Sequence, residues 1–211
     1  MVAEEIRQAN DRLRLHLGCG TVYLEGFVNI DIWREGFCYL ASEKPELVEV
    51  NKTTFDKYYK DKVTRDDLIS KRNRPRYVVA DRFQDITSLD YPQGSVDFIV
   101  CVQTLEHFTP NEVSKALTNW HKILKPGGTL HLDVPDFEDT AKLLLTQKRE
   151  EDKDWYYRLI FGSQKDAFSF HKDGYSETKL RRLLNAHGFK EVKRLPDTRH
   201  FYPSVIVECS K

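Results

Sequence analysis

A short apolar run that ends in two glycines is the feature that most constrains the fold of this chain of 211 residues. Residues 13–17 have the length and composition of a buried strand, and Gly18-Cys19-Gly20 follows directly. Because glycine lacks a Cβ, such a turn lets a ligand approach the main chain closely. The pattern predicts the first strand of an α/β sheet with a ligand at its carboxyl end. Alone, it is compatible with several adenosine cofactors.

Short β-type runs alternate with helical segments along the chain, which favours a mostly parallel sheet with helices on both faces. The predicted parallel strands cover residues 13–17, 27–32, 77–80, 96–102 and 129–134. Residues 189–195 and 204–209 are also strand-like, and we expect them to close the sheet as an antiparallel hairpin. The prediction is therefore a sheet of seven strands.

Two segments have the 3.6-residue apolar period of amphipathic helices. Residues 110–124 follow Thr109, a favourable N-cap, and stop at Lys125-Pro126-Gly127-Gly128. Residues 176–187 begin at a serine that can cap the helix, and Gly188 ends it. Both helices are predicted to pack an apolar stripe against the sheet.

Length and composition narrow the class of protein. The length favours one domain over residues 1–211, with a charged insertion at about residues 43–74 that holds a short helix near residues 55–61. The 33 basic and 33 acidic residues balance, which disfavours a nucleic-acid partner. The apolar runs are too short to span a membrane, and the charged N-terminus lacks a signal region. We therefore expect a cytoplasmic protein without a membrane span.

An acidic residue at the end of the second strand supports the interpretation of the glycine turn as a ligand site. In Asn29-Ile30-Asp31 the carboxylate is placed to accept hydrogen bonds from two ribose hydroxyls, which points to an adenosyl cofactor. An NAD-binding pattern requires a third glycine and an acid about 20 residues further on. Since Asp31 follows Gly20 much sooner, any helix between them has one or two turns at most.

The motifs together resemble the class I S-adenosylmethionine (SAM) dependent methyltransferases, which have a Rossmann-like fold. The likeness is greatest to a small branch found among saccharide and uncharacterised methyltransferases. It covers most of the chain apart from residues 38–75. The matching residues are Leu15, Leu17, Gly18, Cys19, Gly20, Gly26, Phe27, Asn29 and Asp31, followed by Asp85-Ile86-Thr87, Gly94-Ser95-Val96-Asp97, Leu105-Glu106-His107, Leu124-Lys125-Pro126-Gly127-Gly128 and His187-Gly188-Phe189.

This resemblance implies SAM as the cofactor and assigns its contacts. The implied cofactor-binding residues are Gly18, Cys19, Gly20, Asp31, Asp85, Ile86 and Gln103. The glycine turn would face the methionine part, Asp31 the ribose, and Gln103 the underside of the cofactor. Asp85 would accept the exocyclic amine of adenine while Ile86 packs on the ring. Asp81, which directly follows the predicted third strand, is the alternative to Asp85.

Transfer of a methyl group to a hydroxyl requires a group that removes the hydroxyl proton. The candidates are His107, after the fourth strand, His171, before the last helix, and Asp136, after the fifth strand. Each histidine has an alternative role in ordering its loop. Gln103-xx-Glu106-His107 is also similar to the Glu-xx-Glu-His metal site of ubiquinone-pathway O-methyltransferases. Because the amide of glutamine is a weak ligand for a hard cation, a divalent metal is not favoured.

The acceptor is predicted less directly than the cofactor. Residues 155–162 are rich in aromatics, which stack on sugar rings, and Tyr202 with Arg199-His200 would complete such a wall. The leading hypothesis is O-methylation of a sugar hydroxyl in a glycan or nucleotide sugar. The alternatives are a methyltransferase for a non-sugar metabolite or a protein, a SAM- or nucleotide-binding module without catalysis, and an NAD-dependent dehydrogenase.

Overall fold

The computed structural model describes residues 12–58, 77–196 and 200–211. Within them the strands are β1 (Arg14–Leu17), β2 (Tyr23–Leu24), β3 (Val28–Asp31), β4 (Cys38–Leu40), β5 (Lys52–Thr53), β6 (Val78–Ala80), β7 (Arg82–Phe83), β8 (Val96–Val102), β9 (Leu124–Pro135), β10 (Lys190–Arg194) and β11 (Ser204–Ser210). The helices are α1 (Pro45–Asn51), α2 (Pro110–Ile123), α3 (Phe137–Thr146), α4 (Glu150–Phe161) and α5 (Glu177–Ala186).

A seven-stranded sheet with the order β10-β11-β9-β8-β1-β3-β7 forms the centre of the fold. Strand β1 pairs in parallel with β8 on one side and β3 on the other, so that Leu15 lies between Ile99 and Val28. Strand β11 runs antiparallel to both β9 and β10. This arrangement confirms the predicted Rossmann-like fold with its antiparallel C-terminal hairpin.

The third parallel strand differs from the prediction. Strand β6 pairs with β4 in a separate two-stranded sheet, and β7 takes the edge position beside β3 in the main sheet. Val78 and Ala80 are buried all the same, in a small apolar cluster that includes Cys38. The apolar pattern therefore identified a strand correctly but not its partner, because burial alone does not select a partner.

The segment between β1 and β3 contains no α-helix over residues 18–27, all of which the structure describes. The chain instead forms the glycine turn and the two-residue strand β2, which pairs with β5. The sequence predicted a helix of at most two turns here, and the structure has no helical turn at all in this segment. A short connection leaves the glycine turn open to ligands, but it removes the helix N-terminus that would otherwise face them.

Helix α2 has the predicted start and end. Thr109 accepts a hydrogen bond from the backbone of Glu112, whose carboxylate accepts one in return from the Thr109 amide. The apolar stripe, which includes Leu117 and Trp120, is buried against the sheet. The indole N–H of Trp120 donates to the carbonyl of Ile86 over 2.7 Å. The helix thus positions the turn that carries Asp85 and Ile86.

The insertion is only partly within the described residues. It contains α1 and a 3₁₀ turn over Phe55–Lys57, whereas the rest of the helix predicted near residues 55–61, and residues 59–76 in general, lie outside them. No helix in the described ranges is long and apolar enough to cross a membrane. The single domain over residues 1–211 and the cytoplasmic location stay predictions.

Candidate functional site

A cavity of about 570 Å³ opens at the carboxyl edge of the parallel strands. This volume is typical of a site for a small molecule. Its lining brings together most of the residues predicted from the sequence, from segments far apart along the chain. Those residues are Gly18, Gly20, Asp31, Asp85, Ile86, Gln103, His107 and His171.

The glycine turn is fixed by close packing. Gly18 has a φ of +66°, and a Cβ at this position would lie 2.3 Å from the Thr104 hydroxyl oxygen. No other residue therefore fits there without displacing the loop after β8. At Gly20 the nearest atom to an added Cβ is 4.0 Å away, so the main chain there is open. The turn combines a rigid base with an exposed upper side.

Asp31 connects the end of β3 to this turn. One carboxylate oxygen accepts a hydrogen bond from the Gly20 amide at 2.7 Å, and the other accepts one from the Ile32 amide at 2.7 Å. Each oxygen keeps a lone pair for another donor, such as a ribose hydroxyl. Burial is the main cause that raises the pKa of Asp31, while the two amides and Arg34 oppose this shift.

Asp85 and Asp81 have different surroundings. Asp85 lines the cavity and caps a 3₁₀ turn, and its carboxylate accepts hydrogen bonds from the amide and hydroxyl of Thr87. Asp81 instead accepts hydrogen bonds from the Asn29 amide and the Tyr23 hydroxyl, each over 2.7 Å, and is not among the lining residues. The geometry therefore places Asp85, rather than Asp81, at the cavity.

Gln103 directly follows β8 and has an unusual backbone conformation. Its φ is +50°, in the left-handed region that non-glycine residues seldom adopt. The side-chain amide donates to a carboxylate oxygen of Asp133 at 3.0 Å and accepts a hydrogen bond from the Tyr202 hydroxyl at 3.2 Å. The other carboxylate oxygen of Asp133 lies 3.1 Å from His200 Nε2. This network was not predicted, because it joins β8, β9 and the segment before β11.

His107 and His171 lie next to each other in the cavity, although 63 residues separate them in the sequence. They are brought together because the backbone carbonyl of Glu106 accepts hydrogen bonds from the amides of Lys172 and Asp173. Their ring centroids are 4.9 Å apart. Gly162, which follows α4, makes this approach feasible, because a Cβ there would lie 2.2 Å from the Ser169 carbonyl oxygen. Burial lowers the pKa of both histidines, that of His171 to about 4.

Glu106 lies beside these histidines and was not among the predicted site residues. Only 2% of it is exposed, and its Oε2 has no hydrogen-bond partner among the described residues. Burial raises the pKa of this carboxyl to about 8. Its position next to His107 was the available signal, but burial depends on tertiary contacts that a sequence does not reveal.

Two predicted residues are placed away from the cavity lining. The Asp136 carboxylate accepts a hydrogen bond from the Asp139 amide at 3.0 Å, as the N-cap of α3. The Cys19 side chain points into the apolar cluster with Cys38 and donates to the Val79 carbonyl. The structure thus does not bring these two side chains together with the others, and Arg199 lies outside the described residues.

Arg34 and the aromatic residues complete the wall of the cavity. The Arg34 guanidinium lies 3.9 Å from Asp31 and 5.7 Å from the ring centre of Phe168. Trp155 and Tyr202 also line the cavity, and Trp155 stacks on Phe201 with 5.4 Å between ring centres. The cavity therefore has a polar end at the glycine turn and an aromatic side.

Comparison with known proteins agrees with this architecture. A family model described as a methyltransferase domain matches residues 17–194, and the chain belongs to that family. A SAM-dependent methyltransferase from Methanosarcina mazei has the same fold, with a TM-score of 0.52 and 18% identity over 94% of this chain and 91% of that one. The SAM-dependent methyltransferase SibL matches with a TM-score of 0.50 and 15% identity, over 100% of this chain and 55% of its own.

A curated relative is more similar in sequence but much longer. The probable methyltransferase ltbC of Aspergillus luteorubrus is 26% identical over 118 residues, which is 55% of this chain and 37% of that protein. The match thus spans well under half the length of the relative.

The buried Glu106 carboxyl should make stability depend on pH. Its pKa is about 8 in the folded protein and about 4.5 when unfolded, so between these values the folded state retains a proton that the unfolded state has lost. The contribution to stability is therefore complete below about pH 4.5 and is lost as the pH rises to 8. We expect Glu106→Gln to raise the melting temperature more at pH 8 than at pH 5, measured by calorimetry with a chelator present. Equal shifts at both pH values contradict this expectation.

Proposed function

We propose that this chain transfers a methyl group from SAM to a hydroxyl group of a sugar, in a glycan or a nucleotide sugar. SAM is the cofactor of the methyltransferase, and the sugar acceptor is the new element of the proposal. The observation that carries it is the presence, in one cavity, of the glycine turn with Asp31 and of an aromatic wall beside two neutral histidines.

The glycine turn suits SAM better than a dinucleotide. A dinucleotide places its pyrophosphate on the N-terminus of the helix that follows the first strand. Here residues 18–27 contain no helix, so that source of positive potential is missing. The open main chain at Gly20 and the remaining lone pairs of Asp31 fit a ligand with an amino acid part and a ribose. This observation disfavours the alternative of an NAD-dependent dehydrogenase.

When bound, SAM supplies an electrophilic methyl group on a sulfonium. The acceptor oxygen forms its bond to the methyl carbon as the carbon–sulfur bond breaks, S-adenosylhomocysteine leaves, and the hydroxyl proton passes to a protein group. His107 and His171, whose imidazoles line the cavity, are the residues proposed to take this proton. Both histidines have lowered pKa values, so their imidazoles are neutral at neutral pH. They therefore offer a basic group without placing a positive charge beside the sulfonium.

The aromatic wall supports a sugar as the acceptor. Trp155 and Tyr202 present ring faces or edges to the cavity, and pyranose C–H groups pack favourably on such rings. Arg34 and Lys172 add donors for hydroxyl or phosphate oxygens. Each already has an acidic neighbour, Asp31 for Arg34 and Glu112 for Lys172, and keeps further N–H donors that a sugar can use and an apolar metabolite cannot.

An acceptor panel tests the sugar proposal. Purified protein is incubated with SAM and with glycans, nucleotide sugars, phenols, small amines and peptides, and S-adenosylhomocysteine is quantified. We expect product only with sugar hydroxyls, and the position of the methyl group is then located by mass spectrometry. Turnover of another class alone contradicts the sugar acceptor. SAM binding without any turnover supports the non-catalytic alternative.

Loss of the Asp31 carboxylate should weaken the binding of the cofactor. In Asp31→Ala the Gly20 amide loses its acceptor and the ribose loses a charged partner, and each such hydrogen bond contributes about 1.5–3 kcal/mol. We expect the affinity for S-adenosylhomocysteine to fall at least about 10-fold by calorimetry. Asp90→Ala, which removes an exposed acid paired with Arg82, is the control and should leave the affinity unchanged.

The histidine variants should separate binding from catalysis. His171→Ala and His107→Ala remove basic groups on the acceptor side, so we expect turnover to fall about 100-fold or more while the affinity for SAM stays within about twofold. His121→Ala, which lies outside the cavity lining, is the matched control. Unchanged turnover in both variants removes histidine from the proposed chemistry.

A further inference from the structure

Three potential metal ligands converge on the acceptor side of the cavity. Glu106 and His107 belong to the 3₁₀ turn after β8, and His171 belongs to the segment between α4 and α5. One ligand atom from each residue lies within 4.8 Å of the other two. All three residues also line the large cavity. We call them the Glu-His-His cluster.

Both imidazoles are oriented by their second nitrogen. His107 Nδ1 lies 2.9 Å from the Phe170 carbonyl oxygen, and His171 Nδ1 lies 2.9 Å from the Leu159 carbonyl oxygen. Because a carbonyl only accepts, Nδ1 is the protonated nitrogen in each ring, and Nε2 carries the lone pair. Histidines that bind metals are commonly held in this way by a backbone carbonyl or a carboxylate.

The Glu106 carboxylate lacks the partner that its burial requires. Its Oε2 is buried without a hydrogen bond within the described part of the chain, and Oε1 lies 4.0 Å from His107 Nε2. A buried, unpaired polar atom costs free energy, and buried charges are normally paired or bound to a metal. No other side chain in the described ranges supplies that partner. A cation between Glu106 and the two imidazoles would satisfy it.

We propose that Glu106, His107 and His171 bind one divalent first-row transition cation of the Zn²⁺ type. Two imidazole nitrogens and one carboxylate oxygen match the ligand preference of such ions, whereas Mg²⁺ and Ca²⁺ prefer oxygen ligands only. Three protein ligands leave a coordination position open towards the cavity. Ligand atoms of a tetrahedral site lie roughly 3.4 Å apart, so cation binding draws atoms that lie within 4.8 Å of one another together by up to about 1.4 Å.

This assignment differs from the metal-independent reaction expected from the sequence. That expectation depended on Gln103, the first position of the Gln-xx-Glu-His pattern. The Gln103 amide is hydrogen-bonded to Asp133 and Tyr202, so it does not belong to the cluster. The third ligand is His171, which the spacing of that pattern does not include. The cation site therefore arises from the tertiary contact between two distant segments.

The role of the cation rests on the proposed function. An acceptor hydroxyl in the open position would have a lower pKa, because the positive charge stabilises the alkoxide. With the cation bound, the lone pairs of His107, His171 and Glu106 would hold the ion, so the hydroxyl proton would leave to solvent before the oxygen bonds to the methyl carbon. Binding of the cation itself does not depend on methyl transfer. Binding and turnover are therefore measured separately.

The test begins with the full chain after removal of metals by a chelator. Zn²⁺ is titrated by calorimetry in the absence of SAM, and Co²⁺ is titrated with its visible absorption as a second readout. We expect one ion per chain and a Co²⁺ spectrum typical of four or five ligands that include nitrogen. A wild-type chain that binds neither ion stoichiometrically overturns the proposal, whatever the variants do.

Variants then locate the site. Glu106→Gln and His171→Ala should each weaken Zn²⁺ binding by more than roughly 100-fold, since even outer partners of a ligand contribute roughly 10–100-fold. His121→Ala is the matched control and should bind like the wild type. Circular dichroism and binding of S-adenosylhomocysteine verify that each variant is folded. If one of the two cluster variants does not fold, His171→Asn is measured in its place. Undiminished Zn²⁺ binding in folded cluster variants overturns the assignment. Zn²⁺ binding without methyl transfer to any acceptor supports the site and contradicts only the proposed function.

Discussion

The close contact between the glycine turn and Thr104 is the constraint on which the site depends. The two segments leave the ends of the neighbouring strands β1 and β8, and the space between them excludes even one additional methyl group at Gly18. Asp31, at the end of β3, adds a hydrogen bond to the Gly20 amide. Three adjacent strands are thereby joined at one edge. A ligand above the turn rests on backbone that cannot move without disturbing the sheet.

The same contact explains why the missing helix does not weaken the turn. In a dinucleotide-binding unit the third glycine and the following helix pack closely on the strand and hold the loop. Here Gly18 and Cys19 both donate their amides to the Ile30 carbonyl, and Thr104 closes the other side. The loop is thus held by its neighbours in the sheet. A short connection of this kind fits a ligand that carries no pyrophosphate.

Much of the fold could be predicted because its elements are periodic. The seven-stranded sheet and the bounds of α2 and α5 agree with the alternation and the capping residues of the sequence. The partner of β6 could not be predicted, since three buried residues fit either of two sheets equally well. Helix α3 was missed because Asp136, its N-cap, has the pattern of an acid at the end of a strand. A carboxylate at that position is compatible with a helix N-cap and with a site residue at the end of a strand, and only its tertiary contacts distinguish the two.

Site residues at the ends of strands could be predicted from the sequence. The contacts that join distant segments of the chain at the site could not. Asp31 ends β3, while Gly18 and Gln103 directly follow β1 and β8, and all three line the cavity as these positions imply. Glu106 gains its raised pKa only through burial, and His171 approaches it only because the carbonyl of Glu106 binds the next two amides. Neither effect has a signature in local sequence. The sequence named His107, His171 and Tyr202 as candidates, but the burial of Glu106 and its contact with the His171 segment had to come from the structure.

The left-handed backbone of Gln103 connects the C-terminal hairpin to this chemistry. A non-glycine residue in that conformation costs about 1–3 kcal/mol, and it persists only where its surroundings hold it. The surroundings here are the Asp133 carboxylate and carbonyl from β9 and the Tyr202 hydroxyl from the segment before β11. His200, which stacks on Tyr202 at 4.6 Å, also contacts Asp133. The hairpin thus does more than complete the sheet, because it holds the floor of the cavity in a conformation that β8 alone would not retain.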